Sequence, residues 1–195
     1  MSSVVISGDT SGTVSIAAPA VAGSNTLTLL AATATNSVNT LSTAVATTSG
    51  TSIDFTALPS WIKRITVMYN GVSTSGTSTY LVQLGTGSTT FTTSGYNSSY
   101  ISTAGAGVST SGSVTAGFPV FLSGSAADIV YGAVVITNVT GNTWVCQGYT
   151  ASPSQNRGSG VAGQIALAAQ LTAVRITSVT PDTFDAGSVN ILYEG

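Results

Sequence analysis

The chain has 195 residues, of which 43% are hydrophobic and only 5% are charged, and its formal net charge is −2. This length suits one larger all-β domain, or one ordinary domain with an extension. Four basic residues give no cationic cluster for a phosphate backbone, and the sequence has no histidine, so nucleic-acid binding and histidine-based catalytic or metal sites are excluded.

Residues 1–50 contain no aromatic side chain and pack with small and aliphatic residues alone. The stretch TVSIAAPAV alternates Val14 and Ile16 with small or hydroxyl residues, and NTLTLL does the same with Leu27 and Leu29, which predicts short strands. Their apolar stripe is narrow. We therefore expect this segment to be extended and intertwined, and to become ordered only against a partner: the rest of the chain, copies of itself or a larger assembly.

Conventional β-strand patterns begin at about Thr51. The stretch 128–139 is apolar on both faces, which predicts a central strand covered on each side, and Gly141 with Asn142 predicts a hairpin turn after it. Two earlier stretches, WIKRITVMYNGV and STYLVQL, alternate in the manner of strands with one apolar face. Their inward residues are expected to be Ile65, Val67 and Tyr69 in the first, and Tyr80, Val82 and Leu84 in the second.

The carboxy-terminal part predicts a polar loop over 152–163, followed by strands in LTAVRITSV and SVNILYE. The sequences RITV at 64–67 and RITSV at 175–179 resemble an internal repeat, whose strands would be neighbours in one sheet. Many short strands without a convincing helix predict an all-β fold. We expect an amino-terminal β segment over 1–50 and a jelly-roll-like β-sandwich over 51–195.

The stretch SGDTSGTVSIAAPAVAGSNTLTL, residues 7–29, resembles the amino-terminal segment of tail-fibre and related virion proteins of tailed bacteriophages, especially those of cyanobacteria, and of prophages. The stretches LPSWIKRITVMYNGVSTSGTS and ITSVTPDTFDAGSVNILYE are similar to a carboxy-terminal β-domain of such proteins. After the first motif the chain has Leu30 and Ala34 where that family has Pro and Gly.

The resemblance implies a non-enzymatic structural protein made in the bacterial cytoplasm and located in the virion. It implies a homotrimeric fibre or appendage that docks on other tail or capsid proteins through its amino-terminal segment. Two alternatives stay open: a head-decoration or head-fibre protein, and a tip that attaches to a host-surface glycan.

Few side chains in the sequence suit catalysis or metal binding. Asp182 and Asp185 are the only close acid pair, and the surrounding TPDTFDAGS predicts a turn between strands. We expect no catalytic residues, no cofactor and no metal site. Cys146, Trp61 and Trp144 are expected in the core. No apolar run is long enough for a membrane span, so no membrane insertion is expected.

Candidate contact residues lie in polar, glycine-rich stretches. Tyr96, Tyr100 and Tyr149 are placed where a ring is more exposed than on a strand, and Asn97 stands beside the first of them. Arg157 is the only base in the predicted polar loop. These residues form the predicted glycan or partner contact. The alternatives are that the tyrosines pack against the core or in a subunit seam and that Arg157 is merely solvated.

Overall fold

A computed structural model describes residues 3–7, 13–17, 39–105, 107–180 and 182–195 of the chain. Strands dominate, and a 3₁₀ turn spans Pro153–Gln155. The strands are, in chain order, β1 (Ser3–Ser7), β2 (Thr13–Ala17), β3 (Asn39–Leu41), β4 (Val45–Ala46), β5 (Ile53–Phe55), β6 (Arg64–Thr74), β7 (Tyr80–Gly85), β8 (Asn97–Ala104), β9 (Val108–Val114), β10 (Phe118–Phe121), β11 (Val130–Thr140), β12 (Thr143–Ser152), β13 (Arg157–Ala166), β14 (Ala173–Ser178) and β15 (Phe184–Glu194).

The chain divides into two compact units, Met1–Asn36 and Ser37–Gly195. In the first, β1 and β2 form an antiparallel hairpin in which Ile16 lies opposite Val4 and Val14 lies opposite Ile6. The predicted strand at Val14 and Ile16 is therefore confirmed, whereas the one at Leu27 and Leu29 lies outside the described residues. Among the described residues the hairpin pairs with no third strand.

The boundary between the units differs from the expected one at residue 50. Strands β3 and β4 both pair with β15, which places Leu41 opposite Leu192 and Val45 opposite Val189. Strand β15 has 11 residues, so its edge is long enough to accept both short strands. Residues 39–46 consequently belong to the second unit.

The second unit is all-β, as predicted, and forms a sandwich of two antiparallel sheets. The smaller sheet has the order β10-β7-β14-β5. The larger has the order β3-β15-β6-β11-β12-β13-β8-β9, with β4 also on β15. The inward side chains of both sheets form one apolar core, which stabilises the unit by removing hydrocarbon from water. Its largest fully buried members include Tyr80, Phe118, Phe121, Phe184 and Ile65.

The predicted inward faces of β6 and β7 are confirmed, although β7 is buried further than expected. Ile65 and Val67 of β6 are fully buried, and Thr66 between them is half-buried. In β7 all six residues are buried. The Gln83 amide on its other face donates to the carbonyl of Ala116, at 2.8 Å, so a connecting segment covers that face.

Strand β11 is central in the larger sheet, between β6 and β12, and the hairpin turn at Gly141 and Asn142 is confirmed. The expectation that β11 is covered on each side is wrong for the single chain. Val134 and Ile136 face the core, but Tyr131 on the opposite face is 45% exposed. The smaller sheet packs on one side of the larger sheet only.

Two expectations about the carboxy-terminal part are wrong. Much of the predicted loop over 152–163 is strand β13, which pairs along its whole length with β12. Its glycines suit a strand crossed by a large side chain from a neighbouring strand, as described below. The two RITV-like strands are not neighbours, because β6 lies in the larger sheet and β14 in the smaller.

Of the three residues predicted for the core, two are buried and one is exposed. Trp144 and Cys146 are buried on the inner face of β12, as predicted. Trp61 is 37% exposed, and its ring packs at 5.7 Å from that of Tyr193. The prediction for Trp61 is wrong because the tryptophan lies in the segment before β6, at the end of the sandwich.

Candidate interaction surface

The larger sheet turns one face away from the smaller sheet, and we call it the outer face. Strand register defines it as four rows of side chains that run across the strands. The first and second rows lie in the middle of the face: the first is Leu41, Leu192, Thr66, Val135, Gln147, Ala162, Ser99 and Ser113, and the second is Asn190, Met68, Ala133, Tyr149, Gly160, Ile101 and Ser111. The third row, on the far side of the first, is Glu194, Arg64, Thr137, Val145, Gln164 and Asn97. The fourth row, on the far side of the second, is Ser188, Asn70, Tyr131, Ala151, Gly158, Thr103 and Ser109.

The outer face concentrates exposed hydrophobic side chains. Nine large hydrophobic residues are exposed in the described part of the chain, and five of them lie in these rows: Leu41, Ile101, Tyr131, Val145 and Tyr149. Scattered apolar residues are ordinary on a protein surface, but a contiguous apolar patch marks an interaction site. Five of the nine on one sheet face make the outer face the candidate interaction site, with hydroxyl and amide side chains such as Thr66 and Gln147 between them.

The outer face also has almost no charge. Its charged side chains are Arg64 and Glu194, which pair with each other at 3.4 Å between Nε and Oε2. The remaining members of the four rows are apolar, small, hydroxyl or amide side chains. An exposed ion pair of this kind contributes little free energy. Its effect here is that the face offers no unpaired charge to a partner.

Tyr149 lies flat across the glycines of β13. A β-carbon on Gly158 would collide with the Tyr149 hydroxyl, and one on Gly160 would lie 3.8 Å from its ring and 3.3 Å from Ile101. With this ring position only glycine fits at 158; a larger residue would displace the exposed end of the Tyr149 side chain. Tyr149 is still 59% exposed, so one side of the ring is open to solvent.

Two shallow depressions lie on the outer face. One, of about 530 Å³, is lined mainly by Ser99, Ile101, Ser111, Ser113, Gly160 and Ala162. The other, of about 450 Å³, is lined mainly by Val135, Thr137, Val145, Gln147 and Ala162. Neither is lined by a charged side chain.

Only two of the five predicted contact residues lie on the outer face. Tyr149 and Asn97 both lie on the outer face, in different rows, and both are exposed. Tyr100 lies on the opposite face of β8, half-buried, where a β-carbon on Gly112 would come within 2.8 Å of its hydroxyl. Tyr96 and Arg157 have structural partners of their own.

The expected exposure of Tyr96 is wrong, because the ring is in the core. Its hydroxyl accepts a hydrogen bond from the Leu84 N–H at 2.7 Å, and its ring meets Phe118 edge-on at 5.0 Å. Burial raises the pKa of Tyr96 to about 12, while the Leu84 hydrogen bond acts in the opposite direction. The alternative interpretation, that this tyrosine packs against the core, is confirmed.

Arg157 is the first residue of β13, and its guanidinium pairs with the buried Asp128 carboxylate at 3.6 Å between Nε and Oδ1. The second oxygen of Asp128 accepts hydrogen bonds from the N–H groups of Gly124 and Ser125 and from the Ser123 hydroxyl. Arg157 therefore compensates a buried charge that shapes the connection between β10 and β11. This contact explains the residue without an external partner.

The two acids of the predicted pair, Asp182 and Asp185, both accept hydrogen bonds within the fold. Asp182 accepts a hydrogen bond from the Ser78 N–H at 2.8 Å, and Asp185 accepts one from the Ser73 hydroxyl. The first bond ties the segment before β15 to the connection between β6 and β7, and the second joins β15 to β6. In the described residues no three His, Cys, Asp or Glu side chains lie close enough together to hold a metal ion.

Sequence reasoning missed Ile101, Val145 and Tyr131 as surface residues. The run over 128–139 did carry a signal, because its residues are apolar on both faces. That pattern was interpreted as coverage within the chain. It is equally typical of a strand with one face in the core and the other in an interface.

Comparison with known proteins gives no match: no family model matches, and neither a curated protein nor a solved structure gives a significant similarity. Within the part of the chain that the structure describes, no helix has the length and apolar character needed to cross a bilayer. The outer face is therefore the basis on which a function is proposed.

Proposed function

We propose that the chain is a non-enzymatic structural protein of a tailed-bacteriophage virion. In this proposal it forms a homotrimeric fibre or appendage component that docks on tail or capsid proteins through its amino-terminal segment, and the β-sandwich is displayed outward. The proposal combines the resemblance of residues 7–29 and of the two later stretches with the properties of the outer face.

The observation that carries the proposal is the outer face itself. A sheet face whose two charges pair with each other and which has five exposed hydrophobic side chains promotes association in a protein that carries little charge elsewhere. In a protein that functions as a monomer, such a surface would cause unwanted association. In an assembly protein, the same surface is buried between subunits.

The amino-terminal unit supports an attachment role. Its described strands form a two-stranded hairpin, a structure that is marginal in water without further packing. Contact with neighbouring copies or with another virion protein would supply that packing.

The non-enzymatic part of the proposal is supported by the use of the acids. A glycosidase needs two carboxyl groups about 5 to 10 Å apart across a sugar-binding cleft. Asp182 instead accepts a hydrogen bond from the Ser78 N–H of a chain connection, and Asp185 in β15 accepts one from the Ser73 hydroxyl of β6. Turnover of host polysaccharide by the purified protein would contradict this part.

The location is tested by electron microscopy with an antibody raised against the purified chain. Gold-labelled antibody is expected to decorate intact particles of the phage that encodes the chain, on the tail or on the head. Decoration of the head alone would select the head-decoration alternative. Undecorated particles, with the protein present only in the particle-free lysate, would contradict the virion proposal.

One observation favours a second candidate, a host-glycan-binding tip. The open ring of Tyr149 and, on the same face, a depression lined by three serines have the chemistry of a saccharide platform, since sugars stack on aromatic rings and hydrogen-bond to hydroxyls. Tyr149→Ala distinguishes the candidates. Loss of particle adsorption with unchanged oligomeric mass would favour the tip.

A further inference from the structure

We infer that a second copy of this chain covers the outer face of the larger sheet. The inference deepens the proposed function and rests on it only in treating the chain as an assembly protein. It concerns what the face binds, and it holds or fails independently of whether the protein is found on virions.

The first argument is area. Eight strands about 4.8 Å apart span roughly 34 Å, and four rows about 6.7 Å apart span roughly 20 Å, so the face measures on the order of 700 Å². A standard protein–protein interface buries about 800 Å² on each partner. The outer face is thus comparable in area to one side of a contact between two folded domains, and larger than a peptide or one saccharide would fill.

The second argument is charge. Arg64 is held by Glu194, so the face lacks the free cations that an anionic membrane surface or a nucleic acid would require. It is equally unsuited to a strongly charged protein, because such a partner would lose the hydration of its charges without gaining ion pairs. The chain itself has ten charged residues in 195, so its own surface is matched to a neutral partner surface.

The third argument is shape. The face carries both projecting side chains, such as Tyr149, and uncharged depressions beside them. A copy of the chain presents the same projections and the same depressions. Around a threefold axis, as in the proposed homotrimer, a projection of one copy can therefore enter a depression of the next.

Gln147 is the position at which to test the inference. It is exposed in the first row, between Val135 and Ala162, near the middle of the face. Gln170 is also exposed but lies in the connection between β13 and β14, outside the four rows. The two glutamines therefore make a matched pair of probe sites.

The experiment places the photo-crosslinking residue p-benzoylphenylalanine at 147 or at 170 of the whole chain. Each purified protein is irradiated alone and separated on a denaturing gel. We expect a covalent dimer from position 147, in a yield severalfold higher than from position 170, because only the former faces a second copy.

Three results would overturn the inference. Absence of any cross-link at 147 would mean that the face is uncovered. A cross-link at 147 that stays at the mass of one chain would mean that the chain's own segments cover it. Equal dimer yields at 147 and 170 would mean that copies meet without preference for this face. Any of these is compatible with gold decoration of virions, so the two proposals fail separately.

Discussion

Tyr96 illustrates how a tyrosine in a polar stretch becomes a core residue. Strand β7 pairs with β10 only as far as Val82, so the Leu84 N–H has no ladder partner in β10. The Tyr96 hydroxyl takes that place, and Thr92 donates to the Leu84 carbonyl at 2.9 Å. The polar neighbours of Tyr96 in sequence indicate exposure, whereas a backbone N–H of the preceding strand, β7, holds its hydroxyl in the core.

Replacing Tyr96 with Phe is expected to lower the free energy of unfolding by about 1 to 3 kcal/mol, because the buried Leu84 N–H loses its acceptor. Urea unfolding at neutral pH measures the loss. Tyr149→Phe is the matched control, since the Tyr149 ring is mostly exposed, and it is expected to change little. Equal effects of the two substitutions would contradict the assigned hydrogen bond.

The same substitution has a predicted pH signature. Because the folded-state pKa of Tyr96 is raised from 10.0 to about 12, the folded state holds its phenolic proton more tightly than the unfolded state. The corresponding stability is complete below pH 10 and is lost as the pH rises toward 12. Tyr96→Phe should therefore show a shallower alkaline decline than wild type. Some decline should remain, because burial also raises the pKa of Tyr80 to about 12.

At the level of elements, the local sequence pattern predicts where strands lie better than it predicts which sheet each strand joins and what covers its faces. The alternation of Ile65 and Val67 and the Gly141-Asn142 turn were sufficient, because side-chain period and turn chemistry are local properties. Strand β13 was missed because Gly158 and Gly160 resemble loop glycines until Tyr149 is known to cross them. The assignment of β6 and β14 to different sheets depends on long-range packing and leaves no local trace.

The candidate surface was predictable only in part for the same reason. Tyr149 and Asn97 were found from their polar surroundings, but Leu41, Ile101 and Val145 each stand in a separate segment. Strand register alone brings them into neighbouring rows. A sequence pattern can indicate that a strand has two apolar faces, but not which of them faces solvent.

A glycine in β15 tests how tightly this strand is joined to β6. Gly187 has φ +89°, and a β-carbon there would collide with the backbone of Gly71. Gly187→Ala is expected to lower the free energy of unfolding by roughly 3 kcal/mol, from backbone strain and overpacking together. Gly105→Ala is the control, since φ is +55° but nothing lies within 4 Å, and about 1 kcal/mol is expected. Denaturant unfolding with equal losses would refute the proposed close approach.

On the scale of the whole molecule, the two units have different structural roles. The described core residues all lie between Ile53 and Ile191, within the second unit. A chain that begins at Ser37 keeps β3, β4 and this core, so it is expected to remain folded. It lacks the hairpin, and we expect its association to be weaker than that of the full chain.

The central claim is that this chain is built to assemble with copies of itself, and its oligomeric mass in solution tests that claim most directly. Sedimentation equilibrium of the full chain is expected to give three times the 19.3 kDa mass of one chain, with the mass of the chain from Ser37 shifted toward a single copy. A full chain that sediments at 19.3 kDa at every concentration would contradict the claim.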